Sequence, residues 1–274
     1  MDWWQALLIG IVEGLTEYLP VSSTGHILLT QRLIGVSTDT DQALQAANAF
    51  AIAVQAGAIL AVLGLYRARV GRILVGLGGK DPEGLRLGLH IVLGFLPAAI
   101  FGLAFDDAIE QHLFGMGPIV LAWFVGGLGI LGVAAWRRGR DQAPGQDLFS
   151  LGAQGALFIG LCQCVAMWPG TSRSLMTIVG GLLVGFELSA AVEFSFLLGL
   201  VTLGAATAYK ALGDGALMLE TYGPLPLLVG FVASWLAAVV SVRWMVTYLK
   251  SHGLGVFGWY RVGLAAVVYF TLLA

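Results

Sequence analysis

The chain has 274 residues and a formal net charge of −2, with 58% hydrophobic and 11% charged residues. A soluble domain carries about 25% charged residues, so this composition excludes an ordinary soluble protein and indicates a polytopic membrane protein. No basic stripe suited to nucleic acid is present, and nucleic acid is not expected as a partner.

Six apolar runs predict transmembrane helices. A helix needs about 20 apolar residues to cross the hydrocarbon core of a bilayer. The runs that reach or approach this length are Ala47–Tyr66, Leu85–Phe105, Leu113–Trp136, Val192–Tyr209, Pro224–Leu249 and Leu254–Leu273. We therefore expect an all-α integral membrane protein that forms a single membrane domain.

Two further apolar regions are each interrupted by proline or glycine. The segments are Trp3–Leu19 and Val21–Gly35 around Pro20, and Leu151–Trp168 and Leu175–Ala190 around Pro169-Gly170. Two half-length helices with such a break are typical of a re-entrant helical hairpin, which is tolerated at membrane depth only where it lines a cavity. The sequence therefore predicts two re-entrant hairpins besides the six spans.

The charge of the loops alternates along the chain. Basic residues follow Tyr66 and Trp136 and recur at Lys250, whereas the loops between them are acidic or nearly neutral. Basic loops face the cytoplasm. If each hairpin enters and leaves on one side, both termini lie outside, the first hairpin enters from outside, and the second enters from the cytoplasm.

This arrangement predicts an inverted-topology repeat within the one domain. Residues 1–138 and 148–274 would each contain one hairpin and three spans in opposite orientation, separated by the linker Gly139–Gly145. The local register in support of the repeat aligns Gly14-x-x-Glu17-x-x-Pro20-x-Ser22-Ser23 with Gln163-x-x-Ala166-x-x-Pro169-x-Thr171-Ser172. We expect the two hairpin tips to meet near the middle of the bilayer.

The first hairpin carries two acidic residues in apolar sequence. Glu13 and Glu17 lie four residues apart, so their carboxylates share one helix face and could hold Mg²⁺ or Ca²⁺ or handle protons. A charged side chain at mid-bilayer costs about 2.5–3.5 kcal/mol on insertion scales, which favours a functional role. The alternative is a helix face that opens to water.

Two serines follow Pro20 at the predicted start of the next half-helix. Ser22 and Ser23 are either caps for the helix that begins near Thr24 or, with His26 three residues on, a nucleophile with a base in the same turn. Ser23 is favoured over Ser22 as the nucleophile. Direct attack by water, with the serine only binding substrate, is the nearest variant.

The second hairpin predicts an anion cradle around Arg173. An arginine in an apolar hairpin requires a partner, and its planar fork matches phosphate oxygens. The residues that would allow close backbone approach or donate hydroxyl hydrogen bonds are Gly170, Thr171, Ser172, Ser174 and Thr177. The alternative is an ion pair between Arg173 and Glu13 or Glu17, which does not exclude phosphate binding. Two roles are open for Arg261: it lines the cavity, or it anchors the helix at the membrane interface.

With these residues in place, the chain resembles the bacterial undecaprenyl-diphosphate phosphatase family of the bacitracin-resistance type. The matching stretches are Gly10–His26, Gln55–Val62, Pro169–Ser174 with Thr177, Glu193–Leu198 and Tyr260-Arg261. Their order and the chain length agree across nearly the whole sequence. Two positions depart from the family pattern: Ala51 stands where an acidic residue is usual, and Gly199-Leu200-Val201 where a proline is usual.

The resemblance implies an enzyme of the bacterial inner membrane that removes the terminal phosphate from a C55 polyprenyl diphosphate and so recycles the carrier lipid for cell-wall synthesis. It implies that a divalent cation supports activity and that the functional residues are Glu13, Glu17, Ser22, Ser23, His26 and Arg173. From the loop charges we expect the site to open to the periplasm. The sequence leaves a homodimer open.

The corresponding mechanism places the diphosphate between the hairpin tips, where Arg173 and nearby hydroxyls neutralise oxygens and Ser23 attacks phosphorus with His26 assisting.

The rival hypothesis is a transporter of lipid phosphate or small anions, since inverted repeats with hairpins commonly build transport sites. A transporter needs binding groups but no nucleophile, so Ser23→Ala distinguishes the two. An enzyme that also moves its lipid product across the membrane is a third hypothesis.

Overall fold

The chain folds as a series of helices. A computed structural model describes residues 1–37, 40–138 and 145–274, so Asp39 and most of the predicted linker lie outside the described residues. The helices, numbered in chain order, are α1 Trp3–Thr16, α2 Ser23–Leu33, α3 Asp41–Leu65, α4 Arg67–Leu77, α5 Pro82–Leu113, α6 Met116–Arg138, α7 Ala153–Val165, α8 Arg173–Leu183, α9 Leu188–Tyr222, α10 Pro224–Leu249 and α11 Gly255–Val268. A 3₁₀ turn at Leu148–Ser150 precedes α7, and a π-helical turn at Tyr269–Leu273 follows α11.

Six of the described helices are long and apolar enough to cross a membrane, which confirms the predicted number of spans. The candidate spans are Asp41–Leu65, Pro82–Phe105, Met116–Arg137, Leu188–Tyr222, Pro224–Leu249 and Gly255–Leu273. Long apolar runs form helices because a backbone in hydrocarbon must satisfy its hydrogen bonds internally. Their outward faces expose large apolar side chains such as Leu103, Leu212 and Phe270, which suits contact with lipid.

The basic loop predicted after Tyr66 contains a helix, α4. Arg72 on α4 donates from Nε to Oδ2 of Asp81 at 2.7 Å, and Asp81 also accepts from the Gly84 N–H at 2.9 Å. These hydrogen bonds lower the pKa of Asp81 to about 2. Charge pairing therefore stabilises a surface helix that a search for long apolar runs does not detect.

The loop predicted after Tyr209 is also helical, because α9 continues to Tyr222. Lys210 and Asp214 lie one turn apart on this extension, with Nζ 3.6 Å from Oδ2. Gly223 ends the helix with a φ of +74°, a conformation that glycine adopts without steric cost. The predicted span, Val192–Tyr209, thus lies nearer the start of a 35-residue helix.

Two pairs of short helices lie where the sequence predicts broken apolar regions. α1 and α2 flank a turn at residues 17–22, and α7 and α8 flank a turn at residues 166–172. Ser22 and Ser172, which directly precede α2 and α8, have φ angles of 74° and 80°. Such a backbone costs a residue with a side chain about 1–3 kcal/mol, so the surrounding structure must hold both turns in place.

The two serines change the register that the prolines predict. Alignment of Pro20 with Pro169 gives an offset of 149 residues (169 minus 20), whereas Ser22 and Ser172 are 150 apart (172 minus 22). The difference arises because one residue separates proline from this serine in the first turn, and two do so in the second. The residue that corresponds to Ser22 is therefore Ser172 rather than Thr171.

The first helix of each pair packs against a span from the other part of the chain. α1 lies along α10, where a Cβ on Gly10 would be 2.2 Å from the carbonyl oxygen of Gly230. α7 lies along α5, where a Cβ on Gly160 would be 2.5 Å from the carbonyl oxygen of Gly94. Glycine at these crossings lets the helix backbones touch. Each short helix therefore packs closely against a span that is distant in sequence.

Candidate active site

The two turns contact each other through an ion pair between Glu17 and Arg173. Arg173 Nη2 lies 3.0 Å from Glu17 Oε1, and Nη1 donates to the carbonyl oxygen of Ser195 at 3.0 Å. The exposed fractions of the Glu17 and Arg173 side chains are 5% and 11%. Pairing allows charges to be buried to this extent. The ion pair that the sequence offers as an alternative is therefore confirmed.

Glu17 also accepts a hydrogen bond on Oε2 from the Ser23 hydroxyl. Glu17 caps the end of α1 and Ser23 begins α2, so the turn between them brings the carboxylate back onto the hydroxyl. A carboxylate in contact with a serine hydroxyl is positioned to accept its proton. In the structure Ser23 thus pairs with Glu17 and not with His26.

His26 makes a different pair of contacts. Its Nδ1 lies 2.6 Å from the Ser22 carbonyl oxygen, and its Nε2 lies 2.7 Å from the Tyr260 hydroxyl. A carbonyl oxygen can only accept, so Nδ1 carries the proton, and the neutral imidazole accepts from Tyr260 at Nε2. The two rings are stacked, with an angle of 7° between their planes. His26 therefore links the first turn to α11.

A cavity of about 200 Å³ lies beside Glu13 and Ser23. The other polar residues of its lining are Thr24, Gln31, Asn48, Gln55 and Lys210. Ala51, at the position where the sequence departs from the family pattern, also lines it. The cavity thus presents a carboxylate, hydroxyls, amides and one ammonium group to a ligand.

Glu13 is the group in this cavity best suited to a cation. Both of its carboxylate oxygens are buried and have no hydrogen-bond partner among the described residues. Carboxylate and amide oxygens, here those of Glu13, Asn48 and Gln55, are ligands that Mg²⁺ and Ca²⁺ accept. Among the described residues no group of three or more His, Cys, Asp or Glu could hold a metal. A bound cation would therefore need oxygens from substrate or water as well.

A second cavity, of about 460 Å³, shares part of the lining of the first. The shared residues are Leu28, Gln31, Asn48 and Phe114, and Arg32 and Met116 extend the wall outward. These residues belong to the end of α2, the start of α3 and the junction of α5 with α6. A path therefore leads from Ser23 to this end of the helices.

The polar residues of the second turn bind protein groups. Ser174 Oγ donates to the Leu19 carbonyl oxygen at 2.8 Å, and Thr177 Oγ1 lies 2.6 Å from Ser195 Oγ. Ser172 Oγ lies 3.0 Å from Ser174 Oγ and accepts from the Leu175 N–H. None of these hydroxyls belongs to the described lining of the Glu13 cavity, whereas Thr24 does. The second turn thus supports Arg173 and the first turn.

Arg261 joins the two turns through their backbones. Its guanidinium donates to the carbonyl oxygen of Pro20 at 3.3 Å and to those of Gly170 and Thr171 at 2.8 and 3.1 Å. Two further bonds reach carbonyl oxygens on α6, and the side chain is fully buried. The sequence allows two roles for Arg261, cavity lining and interface anchoring, and the structure supports neither. Arg261 instead acts as a clamp, because its guanidinium holds the backbones of both turns together.

Sequence reasoning did not select three residues that reach the site from distant segments. They are Tyr260, Asn48 and Lys210. The signals were slight: Tyr260 precedes Arg261 in a matching stretch, Asn48 is a lone amide near the start of an apolar run, and Lys210 ends another run. Each becomes significant only when the helices pack.

The arrangement of acid, hydroxyl and guanidinium can be compared with known proteins. Residues 6–267 match a family model described as bacitracin resistance protein BacA. The chain belongs to this family. With six apolar helices among its described residues, this BacA family member is a multi-pass membrane protein.

Relatives in the BacA family match over nearly the whole chain. An undecaprenyl-diphosphatase of Sorangium cellulosum is 44% identical over 98% of this chain and 86% of its own length. An undecaprenyl-diphosphatase of Ectopseudomonas mendocina is 40% identical over 99% of this chain and 95% of its own. An undecaprenyl-diphosphatase 2 of Rhodospirillum rubrum is 41% identical over 97% and 94%.

Proposed function

We infer that this protein hydrolyses undecaprenyl diphosphate, removing the terminal phosphate to give undecaprenyl phosphate and inorganic phosphate. Relatives that share 40–44% of its residues over nearly full length carry the name undecaprenyl-diphosphatase. One observation in the structure carries this inference: the Ser23 hydroxyl donates a hydrogen bond to Glu17 and lines a cavity. Arg173 contacts the same carboxylate. The protein thus serves the recycling of a carrier lipid for cell-wall synthesis.

Arg173 is proposed to bind the terminal phosphate. Its Nη groups contact Glu17 and Ser195, whereas Nε is buried without a hydrogen-bond partner among the described residues. A guanidinium N–H bonded to a phosphate oxygen forms a strong charge-assisted bond. Thr24, exposed on the cavity wall, and Ser22 are proposed to donate to other phosphate oxygens, while Gly170, Thr171, Ser172, Ser174 and Thr177 support this arrangement.

Ser23 is proposed as the nucleophile and Glu17 as its base. Ser23 Oγ forms a bond to the terminal phosphorus while the bond from that phosphorus to the bridging oxygen breaks. The serine proton passes to Glu17, to which it is already hydrogen-bonded, and undecaprenyl phosphate leaves. Glu17 gives this proton to the bridging oxygen of the leaving undecaprenyl phosphate and is a carboxylate again. Water then attacks the phosphoserine and gives a proton to Glu17, the bond from phosphorus to Ser23 Oγ breaks, and Glu17 returns the proton to Ser23 as inorganic phosphate is released.

His26 is proposed to act by holding the reactive turn. Its Nδ1–H binds the carbonyl oxygen of Ser22, whose positive φ aims the next residue, Ser23, towards Glu17. The Tyr260 hydroxyl holds Nε2 and so fixes the tautomer that makes this bond. This role differs from the base that the sequence predicts, and it is supported by the contacts of both ring nitrogens.

A divalent cation, Mg²⁺ or Ca²⁺, is proposed as cofactor. Glu13 would hold it, because both carboxylate oxygens lack hydrogen-bond partners among the described residues, and Glu17 would contribute less, since its oxygens already bond Arg173 and Ser23. When bound, the cation would neutralise phosphate oxygens as a Lewis acid.

The membrane arrangement is proposed to be the predicted one. The short helix pairs would be re-entrant hairpins, and residues 1–138 and 148–274 would form an inverted repeat in the bacterial inner membrane. The path from Ser23 ends near the start of α3 and the α5–α6 junction, where loop charge predicts the periplasmic side. The prenyl tail would lie between helices in lipid.

Phosphate release from undecaprenyl diphosphate by the purified protein in detergent tests the function. Wild type, Ser23→Ala and Arg173→Ala are assayed with Mg²⁺, with Ca²⁺ and with chelator, and exposed Ser189→Ala is the matched control. We expect cation-dependent release that is lost in the first two variants and retained in the control.

Other outcomes change the conclusion in defined ways. Release that survives Ser23→Ala indicates Ser22 or water as the nucleophile. Release that survives chelation removes the cation from the proposal. If folded wild type releases no phosphate, the enzyme hypothesis is overturned and the transporter hypothesis is left. Binding of substrate without turnover would support the transporter.

A further inference from the structure

Lys210 is a basic residue in the wall of the cavity that holds Glu13 and Ser23. It lies on the extension of α9, one turn after Thr207, whose hydroxyl lies 3.5 Å from Gln55 Oε1 on the same cavity wall. This face of α9 is therefore directed at α3 and at the cavity. Among the described lining residues Lys210 is the single cation.

The ammonium of Lys210 is held loosely. Its Nζ lies 3.6 Å from Asp214 Oδ2, which is an ion-pair distance but too long for a good hydrogen bond. Asp214 is fixed independently, because its Oδ1 accepts from Gln45 Nε2 on α3 at 2.8 Å. With 31% of its side chain exposed, Lys210 can turn from Asp214 towards a ligand at little cost.

The charge of a diphosphate favours a second basic side chain at the site. A diphosphate carries several negative charges, which exceed what Arg173, already paired with Glu17, and a divalent cation held by Glu13 would neutralise. The Nη groups of Arg173 contact Glu17 and Ser195, so its guanidinium has little capacity for a second phosphate group. An ammonium is a mobile point charge with three donors, which suits a phosphate whose position shifts as it enters.

We propose that Lys210 binds the diphosphate of the substrate as a second anchor, and that Asp214 holds the ammonium while the site is empty. This proposal rests on the proposed function and names a binding residue that the sequence motifs do not include. Arg173 then holds the terminal phosphate, where the bond breaks, and Lys210 holds the diphosphate from the cavity wall. Lys210 thus contributes to binding more than to the chemical step.

Steady-state kinetics with undecaprenyl diphosphate test the proposal. For Lys210→Gln we expect KM to rise about tenfold, with kcat within about twofold of wild type, because one charge-assisted contact is lost in substrate and transition state alike. Lys210→Arg should restore most of the affinity. Asp214→Asn, which releases the ammonium, should lower KM about twofold to threefold. Lys250→Gln, a lysine at the far end of α10, is the control and should match wild type.

The outcomes separate this proposal from the proposed function. Wild type without activity overturns both. Active wild type with an unchanged KM in Lys210→Gln overturns the anchor alone and leaves Lys210 as a surface residue. A fall in kcat at constant KM, or failure of Lys210→Arg to restore affinity, also contradicts it. If Lys210→Gln does not fold, Asp214→Asn decides, because an unchanged or raised KM there overturns the proposal.

Discussion

The two pairs of short helices, α1–α2 and α7–α8, have similar turn conformations but carry different functional side chains. In each pair a serine with positive φ precedes the second helix, with ψ angles of 100° at Ser22 and 114° at Ser172. The glycines that follow these second helices, Gly35 and Gly185, are also 150 positions apart (185 minus 35) and both have positive φ. The two turns thus share their backbone conformation at these positions.

The functional side chains at corresponding positions differ. In the register set by Ser22 and Ser172, Glu13 corresponds to Gln163, Glu17 to Met167, Ser23 to Arg173 and His26 to Met176. The first pair therefore carries the acids and the hydroxyl, whereas the second carries the guanidinium. The comparison teaches that two turns of similar conformation can place a carboxylate, Glu17, and a guanidinium, Arg173, in contact where the turns meet.

The largest expected effect separates Glu17 from its counterpart Met167. Glu17→Gln removes the base for Ser23 and the partner of Arg173, so activity should fall by about 10²–10⁴-fold, the range for general acid–base catalysis. Met167→Leu is the matched control and should keep near wild-type phosphate release. Equal losses in both variants would show that the chemistry is not confined to the first pair.

Arg261 tests whether the two turns depend on a common clamp. Arg261→Met removes a donor from five buried carbonyl oxygens. The three on the turns, those of Pro20, Gly170 and Thr171, lie outside helices and each cost about 1–3 kcal/mol when unpaired. We expect a loss of more than about 3 kcal/mol, measured as the thermal unfolding midpoint and folded yield in detergent. Arg243→Met, at an exposed position, is the control. An Arg261→Met protein as stable as wild type would rule out the clamp.

Tyr260 tests the hydrogen bond between α11 and His26 of the first pair. Tyr260→Phe keeps the stacked ring but removes the hydroxyl that bonds His26 Nε2. We expect kcat to fall about threefold to tenfold, equivalent to one hydrogen bond, with KM and the unfolding midpoint unchanged. Tyr269→Phe, an exposed tyrosine beyond the end of α11, is the control. A change in KM alone would instead assign Tyr260 to substrate binding.

The smallest expected effect distinguishes the two turn serines. Ser172 caps α8 by accepting from the Leu175 N–H, whereas the Ser22 side chain makes no capping bond. Ser172→Ala should therefore cost about 1 kcal/mol of stability, and Ser22→Ala only a few tenths, both measured by thermal unfolding in the same detergent. If Ser22→Ala proves the more costly, the two turns differ in their support as well as in their chemistry.

The sequence by itself determined the class of fold and the residues of the first turn. Apolar-run length predicts six spans because hydrocarbon thickness sets the length of a spanning helix, and Pro20 and Pro169 mark both breaks. Acids in apolar sequence identify Glu13 and Glu17 because burying an unpaired charge is costly. These are local properties, so a single sequence reveals them. Surface helices such as α4 escape the same criterion because they are neither long nor apolar.

Only the tertiary structure decided which of these groups touch. Ser23 bonds Glu17 rather than the nearer His26 in sequence, because the positive φ of Ser22 turns the chain back on α1. Tyr260 and Arg261 reach His26 and Pro20 of the first pair across more than 200 residues. Lys210 reaches the cavity by an extension of α9 that the apolar pattern assigns to a loop. Helix packing sets these contacts, since they join segments whose local patterns carry no information about one another.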